Sequence, residues 1–130
     1  MTDLEFNLIH RFNVGDALLR SAARTPQQRA IHFMRRELTY AELDALANRM
    51  ARKLMSAGVN RGDSVAIFAT NSPEYVAAFF GCARIGAALV PINLMFTAED
   101  VTYVFEKTRV KTLLVEPMFQ PKVLAPPPNC

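Results

Sequence analysis

The chain has 130 residues, a net charge of +3 and 51% hydrophobic residues, which suits one packed domain and excludes wholesale disorder. Its basic residues are dispersed, with only Arg35-Arg36 and Arg52-Lys53 adjacent, so a nucleic-acid-binding surface is not expected. Cys82 has no ligand-like neighbour and Cys130 is the last residue, which excludes a disulfide scaffold and a zinc site and suits a reducing compartment.

The first part of the chain predicts a helix followed by two short strands. Either Asn13 or Asp16 caps the helix, which runs to Arg24 before a Thr-Pro pair. Residues 30–34 and 37–39 have the composition of strands and are close enough to pair with each other.

The clearest predicted helix begins at Thr39. Thr39 and Glu42 have the spacing of a capping box, and Gly58 is placed to end the helix. Apolar residues between them recur at intervals of three and four, which gives one apolar stripe. They are Leu43, Leu46, Ala47, Met50 and Leu54.

Strands and helices then alternate. Residues 65–69 form a continuous apolar run, as expected of a strand buried on both faces. Ser72 caps the next helix, with proline at its first position, and Gly86 closes it. Residues 87–90 are a short strand stopped by Pro91.

Thr97 caps the last predicted helix, and Thr112–Val115 forms the last predicted strand. This alternation predicts an α/β fold with a mostly parallel sheet and helices on both faces. Residues 75–92 carry Arg84 as their only charge. Glycines and Pro91 interrupt that run, so it predicts a helix and a buried strand and no transmembrane span.

Ligands of such sheets bind beyond the carboxyl ends of the strands. The corresponding positions are Thr70-Asn71-Ser72, Asn93-Leu94-Met95 and Glu116. Ser72 and the helix start could hold an anion on backbone N–H groups, or Ser72 could be a capping serine alone. No strand is followed by a glycine-rich phosphate loop.

Other polar residues do not form a recognisable site. His10 and His32 stand far in sequence from any triad-like arrangement, and Arg61 and Asp63 belong to a turn. Cys82 lies between apolar residues and is expected to be an inert small hydrophobe. The residues therefore designate no catalytic, cofactor-binding or metal-binding position.

Four segments resemble, in order, motifs of the adenylate-forming (AMP-binding) superfamily, which includes acyl-CoA synthetases, peptide-synthetase adenylation domains and luciferases. The segments are 38–43 (LTYAEL), 61–65 (RGDSV), 71–74 (NSPE) and 81–93 (GCARIGAALVPIN). The resemblance covers about residues 13–116. Asn93 at the end of the last motif favours the acyl-CoA synthetase or long-chain fatty acid–CoA ligase branch, because peptide-synthetase domains more often have Asp there.

The resemblance implies the first portion of an N-terminal domain and a parent reaction. A carboxylic or fatty acid and ATP give an acyl-adenylate and pyrophosphate, and CoA then gives the thioester. The implied cofactors are ATP, Mg²⁺ and CoA. In the family, the phosphate loop, the ribose-binding aspartate and the C-terminal lysine lie downstream of the matched region. This chain alone is therefore expected to be inactive and to bind none of the three cofactors tightly.

The expected organisation is a partial AMP-binding subdomain at residues 1–118 and a proline-rich irregular tail at 119–130. The resemblance and the reducing environment imply a cytoplasmic location, with peripheral membrane attachment as a further option. One alternative is a non-catalytic interaction module of the same fold, which pairs with a partner or itself through an uncovered sheet edge or helix face. Another is an unrelated doubly wound nucleotide-binding or signalling domain.

Overall fold

The computed structural model describes residues 13–128. The expectations for His10 and Cys130 lie outside that range. The elements, in chain order, are helix α1 (Val14–Arg24), strands β1 (Arg29–Phe33) and β2 (Arg36–Thr39), helix α2 (Tyr40–Ser56), strand β3 (Ser64–Phe68), helix α3 (Pro73–Ile85), strand β4 (Ala88–Pro91), helix α4 (Ala98–Thr108), strand β5 (Thr112–Val115) and a 3₁₀ segment (Pro117–Lys122).

The main sheet has three parallel strands in the order β4-β3-β5. The middle strand, β3, is the continuous apolar run noted in the sequence, and its residues from Val65 onward are buried. Alternate side chains point to opposite faces of a sheet. Val65 therefore packs with Leu54 of α2 and Cys82 of α3, while Phe68 packs with Val101 of α4.

Helices thus cover both faces of the sheet, and the predicted α/β fold is confirmed. The face under α2 and α3 is called the α2/α3 face here, and the face under α4 is called the α4 face. The α4 face is completed by the 3₁₀ segment, whose Phe119 ring stacks on Phe68 with centroids 4.7 Å apart.

Strands β1 and β2 do not join this sheet. They form a separate antiparallel hairpin, so the first strand of the predicted alternation is an exception to the parallel pattern. Met34 was predicted to end the first strand, but it lies in the turn at φ 53°. A two-residue hairpin turn requires positive φ, and this sequence offers neither Gly nor Asn there.

The helix ends follow the predicted capping residues. Asn13, not Asp16, caps α1 and accepts from the Gly15 amide at 2.7 Å. Both hydrogen bonds of the Thr39–Glu42 capping box are present. These caps involve residues two or three positions apart, so the local sequence is sufficient to specify them.

Pro91 is the last residue of β4, although the sequence predicted that it would stop the strand before it. The Ile92 amide donates to the Ile67 carbonyl of β3 at 2.9 Å. Because N–H groups alternate between the two sides of a strand, position 91 faces away from β3. Proline is tolerated there because no bond within the sheet is lost.

The predicted irregular tail begins with packed residues. Pro117–Lys122 form the 3₁₀ segment, with Phe119 buried. The Lys122 ammonium donates to the Leu94 carbonyl at 3.0 Å. Residues 123–128 have no regular secondary structure, but Pro127 is buried.

Helix α3 is largely covered within the described chain. α1 and α2 pack against it, and Ala77, Ala78 and Cys82 are at most 1% exposed, while Phe79 remains 43% exposed. The extended apolar patch anticipated for an uncovered helix is therefore reduced to a small area. No helix within residues 13–128 is both long enough and apolar enough to cross a membrane.

Candidate functional site

A cleft of about 350 Å³ lies at the carboxyl ends of β3 and β5 on the α2/α3 face. This is where the sequence predicted the ligand-binding edge of the sheet. Its floor is apolar and its rim is polar. The floor contains Met50, Ile67, Ala69, Ala78, Leu114 and Val115, and the rim contains Thr70, Ser72, Glu74, Tyr75 and Glu116.

Thr70 and Glu116 join the ends of β3 and β5. The Thr70 amide donates to Glu116 Oε2 at 2.8 Å, and the Thr70 hydroxyl donates to the same oxygen at 2.9 Å. These two hydrogen bonds hold the pKa of the Glu116 carboxyl below its usual range, because both favour the ionised form. The rim of the cleft therefore carries a carboxylate at neutral pH.

We expect Glu116→Gln to lower the melting temperature at pH 7 and the difference from wild type to shrink at acidic pH. The folded pKa of Glu116 lies below its unfolded value. Its stabilising effect is thus present above roughly pH 4.3, the usual glutamate pKa, and is lost as the pH falls through the folded pKa. Thermal unfolding of both proteins between pH 7 and pH 3 measures this.

Thr70→Val is the matched control, because it removes the hydroxyl donor and leaves the amide donor in place. It should show a smaller loss with the same pH dependence. A difference between wild type and Glu116→Gln that stays constant across the pH range would contradict the assignment.

The amino terminus of α3 is already satisfied by the chain itself. The Ser72 hydroxyl accepts from the Tyr75 amide at 3.1 Å, and the Ser72 carbonyl accepts from the Val76 amide. Pro73 has no N–H to offer. Of the two roles left open by the sequence, the geometry favours the capping serine over the anion holder.

Charge at the rim also disfavours a phosphate. Glu74 pairs with Arg36 of the hairpin at 2.7 Å, and hydrogen bonding to Arg36 lowers the pKa of Glu74. Burial raises the pKa of the Tyr75 hydroxyl, so it stays protonated. A triphosphate in this cleft would meet the Glu116 carboxylate and no unpaired cation among the lining residues.

The remaining sequence candidates lie outside the cleft. His32 Nδ1 contacts Glu37 at 2.8 Å on the exposed hairpin, where Arg29 binds the same carboxylate. Burial raises the pKa of the Cys82 thiol to about 11, as expected of an inert cysteine. Asp63 accepts from the Asn60 amide in its turn at 2.8 Å.

A metal centre is not formed within residues 13–128, where no three His, Cys, Asp or Glu side chains cluster. The lining of the cleft itself contributes two carboxylates, Glu74 and Glu116, and no lysine or arginine. Sequence reasoning named Thr70 and Glu116 as strand-end positions but missed that they bind each other. The order of the strands was the missing information, because β3 and β5 are adjacent although α3 and β4 separate them in the chain.

Nearly all of the described chain matches a known protein family. The family profile described as AMP-binding enzyme matches residues 18–128. The 3-hydroxybenzoate–CoA/4-hydroxybenzoate–CoA ligase of Thauera aromatica is 39% identical over 93 residues, covering 72% of this chain and 18% of that protein. The fatty acid–acyl-carrier-protein ligase ScoC of Streptomyces coeruleorubidus is 36% identical over 111 residues, covering 83% of this chain and 21% of that protein.

The fold has a close counterpart among solved structures. The N-terminal domain of FACL13 from Mycobacterium tuberculosis superposes with a TM-score of 0.84 at 32% identity, covering 90% of this chain and 32% of that one. The chain thus spans about a fifth of the length of the two ligases and about a third of that domain.

Proposed function

Because the chain belongs to the AMP-binding enzyme family, we propose that it forms part of an ATP-dependent acyl-CoA ligase. The parent reaction joins a carboxylate to ATP, giving an acyl-adenylate and pyrophosphate, and then transfers the acyl group to CoA. The observation that carries this proposal is the agreement of the fold with the FACL13 N-terminal domain over 90% of the chain.

The role of this chain in that reaction is to provide a scaffold. Its motif residues act as caps and turns: Thr39 and Glu42 cap α2, Ser72 caps α3 and Gly86 ends α3. The cleft lacks a phosphate-binding loop and a metal cluster within residues 13–128. ATP, Mg²⁺ and CoA would therefore be held chiefly by residues outside this chain, and none is expected to bind it tightly alone.

The substrate class is a carboxylic acid, aromatic or fatty. Asn93 at the end of the motif in residues 81–93 favours the acyl-CoA synthetase branch. Two of the relatives described above are a hydroxybenzoate–CoA ligase and the N-terminal domain of FACL13. The name of the ScoC ligase gives an acyl carrier protein, and not CoA, as the acceptor. The identity of the acceptor thiol should therefore be tested once the acid is known.

The proposal includes the organisation expected from the sequence. Residues 1–118 would form the partial subdomain, and the proline-rich residues from 119 would follow it. A cytoplasmic location is proposed on the basis of cysteine usage, because Cys82 is a free buried thiol and nothing in the described chain requires an oxidising compartment.

Carboxylate-dependent exchange of pyrophosphate into ATP tests the function. An antibody raised to residues 1–116 would isolate the native polypeptide from its source cells, and its mass would be recorded. We expect exchange by that polypeptide with at least one acid from a panel of benzoates and fatty acids, followed by thioester formation with CoA. The 130-residue chain is the matched control, and we expect no exchange from it.

Two results would contradict the proposal. Exchange by the 130-residue chain itself would show that its own residues form the adenylating site. A native polypeptide that folds and binds CoA resin but exchanges pyrophosphate with no acid would mean that the ligase reaction is absent. The interaction-module alternative then becomes the leading function, because the edge of β5 could pair with another strand.

A further inference from the structure

The β1–β2 hairpin is fastened differently at its two ends. At its base, the Tyr40 amide donates to the Gln28 carbonyl at 2.9 Å, and the Ala41 amide donates to the Pro26 carbonyl at 3.0 Å. These bonds join the base to the first turn of α2. The other end is a turn in which Met34 is 81% exposed. The tip of the hairpin therefore depends on contacts made by the strand residues next to that turn.

The two faces of the hairpin also differ. Opposed residues of an antiparallel pair share a face, and successive residues alternate between faces. His32 and Glu37 are opposed, exposed and in contact with each other at 2.8 Å on the outer face. Phe33 and Arg36 are the next opposed pair, so they lie on the inner face. Ile31 shares that face and packs on the hydrophobic cluster of α1 and α2. Arg36 thus lies on the side of the hairpin that faces the helices.

Arg36 connects the tip to α3. Its Nη2 donates to Oε1 of Glu74 at 2.7 Å, across 38 positions of sequence. Glu74 is the second residue of α3 and lines the rim of the cleft at the carboxyl ends of β3 and β5. One guanidinium therefore links the free end of the hairpin to the edge of the candidate site.

The strength of this link suits a contact that opens and closes. The Arg36 and Glu74 side chains are 53% and 49% exposed, and an ion pair in water stabilises a structure only slightly. Such a pair can change how often the tip of a hairpin opens, but it does not decide whether the domain folds. The packed base, with Ile31 on its inner face, can stay in place while the tip moves.

Opening of the tip would change the charge of the cleft. In the closed arrangement, hydrogen bonding to Arg36 lowers the pKa of Glu74, so the two side chains form a paired cation and anion. The other carboxylate of the rim, Glu116, is bound by the uncharged Thr70. Release of Arg36 would leave two carboxylates without a cation. Since like charges repel, the closed hairpin favours an anionic ligand in the cleft and the open hairpin disfavours it.

We propose that the tip of the β1–β2 hairpin is a latch on the cleft, and that Arg36 closes it by holding and neutralising Glu74. Arg36 does not line the cleft, so it is a positioning residue that acts through Glu74. The latch goes beyond the proposed ligase reaction. Both of its residues belong to this chain, and its closure can be measured without ATP or an acid.

Amide hydrogen exchange of the 130-residue chain, followed by NMR, tests the latch. Arg36→Gln should speed exchange of the hairpin amides next to the turn by about two- to fivefold, equivalent to roughly 0.4–1 kcal/mol. The amides of β3 should exchange as in wild type. Arg35→Gln is the matched control, because Arg35 is exposed in the same turn, and it should leave the hairpin amides unchanged.

A double-mutant cycle shows whether the two residues act as a pair. Glu74→Gln should speed the same amides by the same factor, and combining it with Arg36→Gln should add nothing. Arg36→Lys keeps the positive charge and should restore part of the protection. Carbon-detected NMR titration of the Glu74 carboxyl reports its pKa directly. In Arg36→Gln this pKa should rise toward the usual value of about 4.3, and in Arg35→Gln it should stay low.

Three results would overturn the latch. One is equal exchange of the hairpin amides in Arg36→Gln and Arg35→Gln. Another is additive effects of Arg36→Gln and Glu74→Gln, and the third is an unchanged titration of Glu74 in Arg36→Gln. Far-UV circular dichroism first establishes that each variant is folded. Should Arg36→Gln fail to fold, Glu74→Gln and Arg36→Lys carry the same comparison, and wild-type exchange in folded Glu74→Gln would also overturn the proposal.

Discussion

Replacing Phe68 with Ala should destabilise the fold by about 3–5 kcal/mol, a large part of the roughly 5–15 kcal/mol that holds a domain together. Phe68 is completely buried at the end of the central strand, and its ring stacks on Phe119 at an interplanar angle of 15°. Truncation would leave a cavity on the α4 face and remove the partner that anchors the 3₁₀ segment.

Urea denaturation followed by far-UV circular dichroism measures this loss. Phe79→Ala is the matched control, because Phe79 is 43% exposed and makes only an edge contact with Phe80 among the described rings. Phe79→Ala should lower the free energy of unfolding by less than about 1 kcal/mol, as substitutions at the protein surface do. Equal losses for the two variants would mean that Phe68 is not at the centre of the core.

Gly86→Val should cost about 2–3 kcal/mol, since a β-branched side chain strongly resists left-handed backbone. Gly86 ends α3 at φ 74°. The Gly86 amide donates to the Ala83 carbonyl, and the Ala87 amide donates to the Cys82 carbonyl. An added Cβ would also lie 2.9 Å from Cγ of Arg61, so the Arg61 side chain would have to shift.

Alanine substitutions at Gly86 and Gly58 separate backbone strain from steric contact. Gly58 has a φ of 88°, and an added Cβ would meet nothing within 4 Å. Both alanine substitutions place a Cβ on left-handed backbone and should lower the melting temperature for that reason. Only Gly86→Ala should lower it further, through the contact with Arg61. Thermal melts of the three variants measure these costs. An unchanged melting temperature for Gly86→Val would show that the left-handed conformation is not required at this helix end.

Much of the fold could be predicted because the responsible residues are close together in the chain. The Thr39–Glu42 capping box, the Ser72 cap and the Gly86 helix end all involve residues within one helical turn. The buried strand β3 was recognisable from its uninterrupted apolar run. Each of these predictions is confirmed.

The features that were missed depend on residues far apart in the sequence. Whether the β1–β2 hairpin joins the parallel sheet depends on packing, and a strand pattern alone cannot specify its partner. The Thr70–Glu116 contact joins residues separated by 46 positions. The tail predicted at residues 119–130 from its proline content includes Phe119, and proline composition could not predict that this ring would stack on Phe68.

The order in which β3 acquires its neighbours bears on how the chain is made. Synthesis proceeds from the amino terminus, and domains fold as their residues emerge from the ribosome. The elements α1, α2 and α3 precede β4, α4 and β5 in the chain. In the nascent protein, α2 and α3 can therefore cover the α2/α3 face of β3 before β3 has either neighbouring strand. At that stage its α4 face, with Phe68, is still uncovered. Until β4, α4 and β5 emerge, the central strand exposes apolar side chains and unpaired backbone groups, the features that make a partly folded chain prone to aggregation.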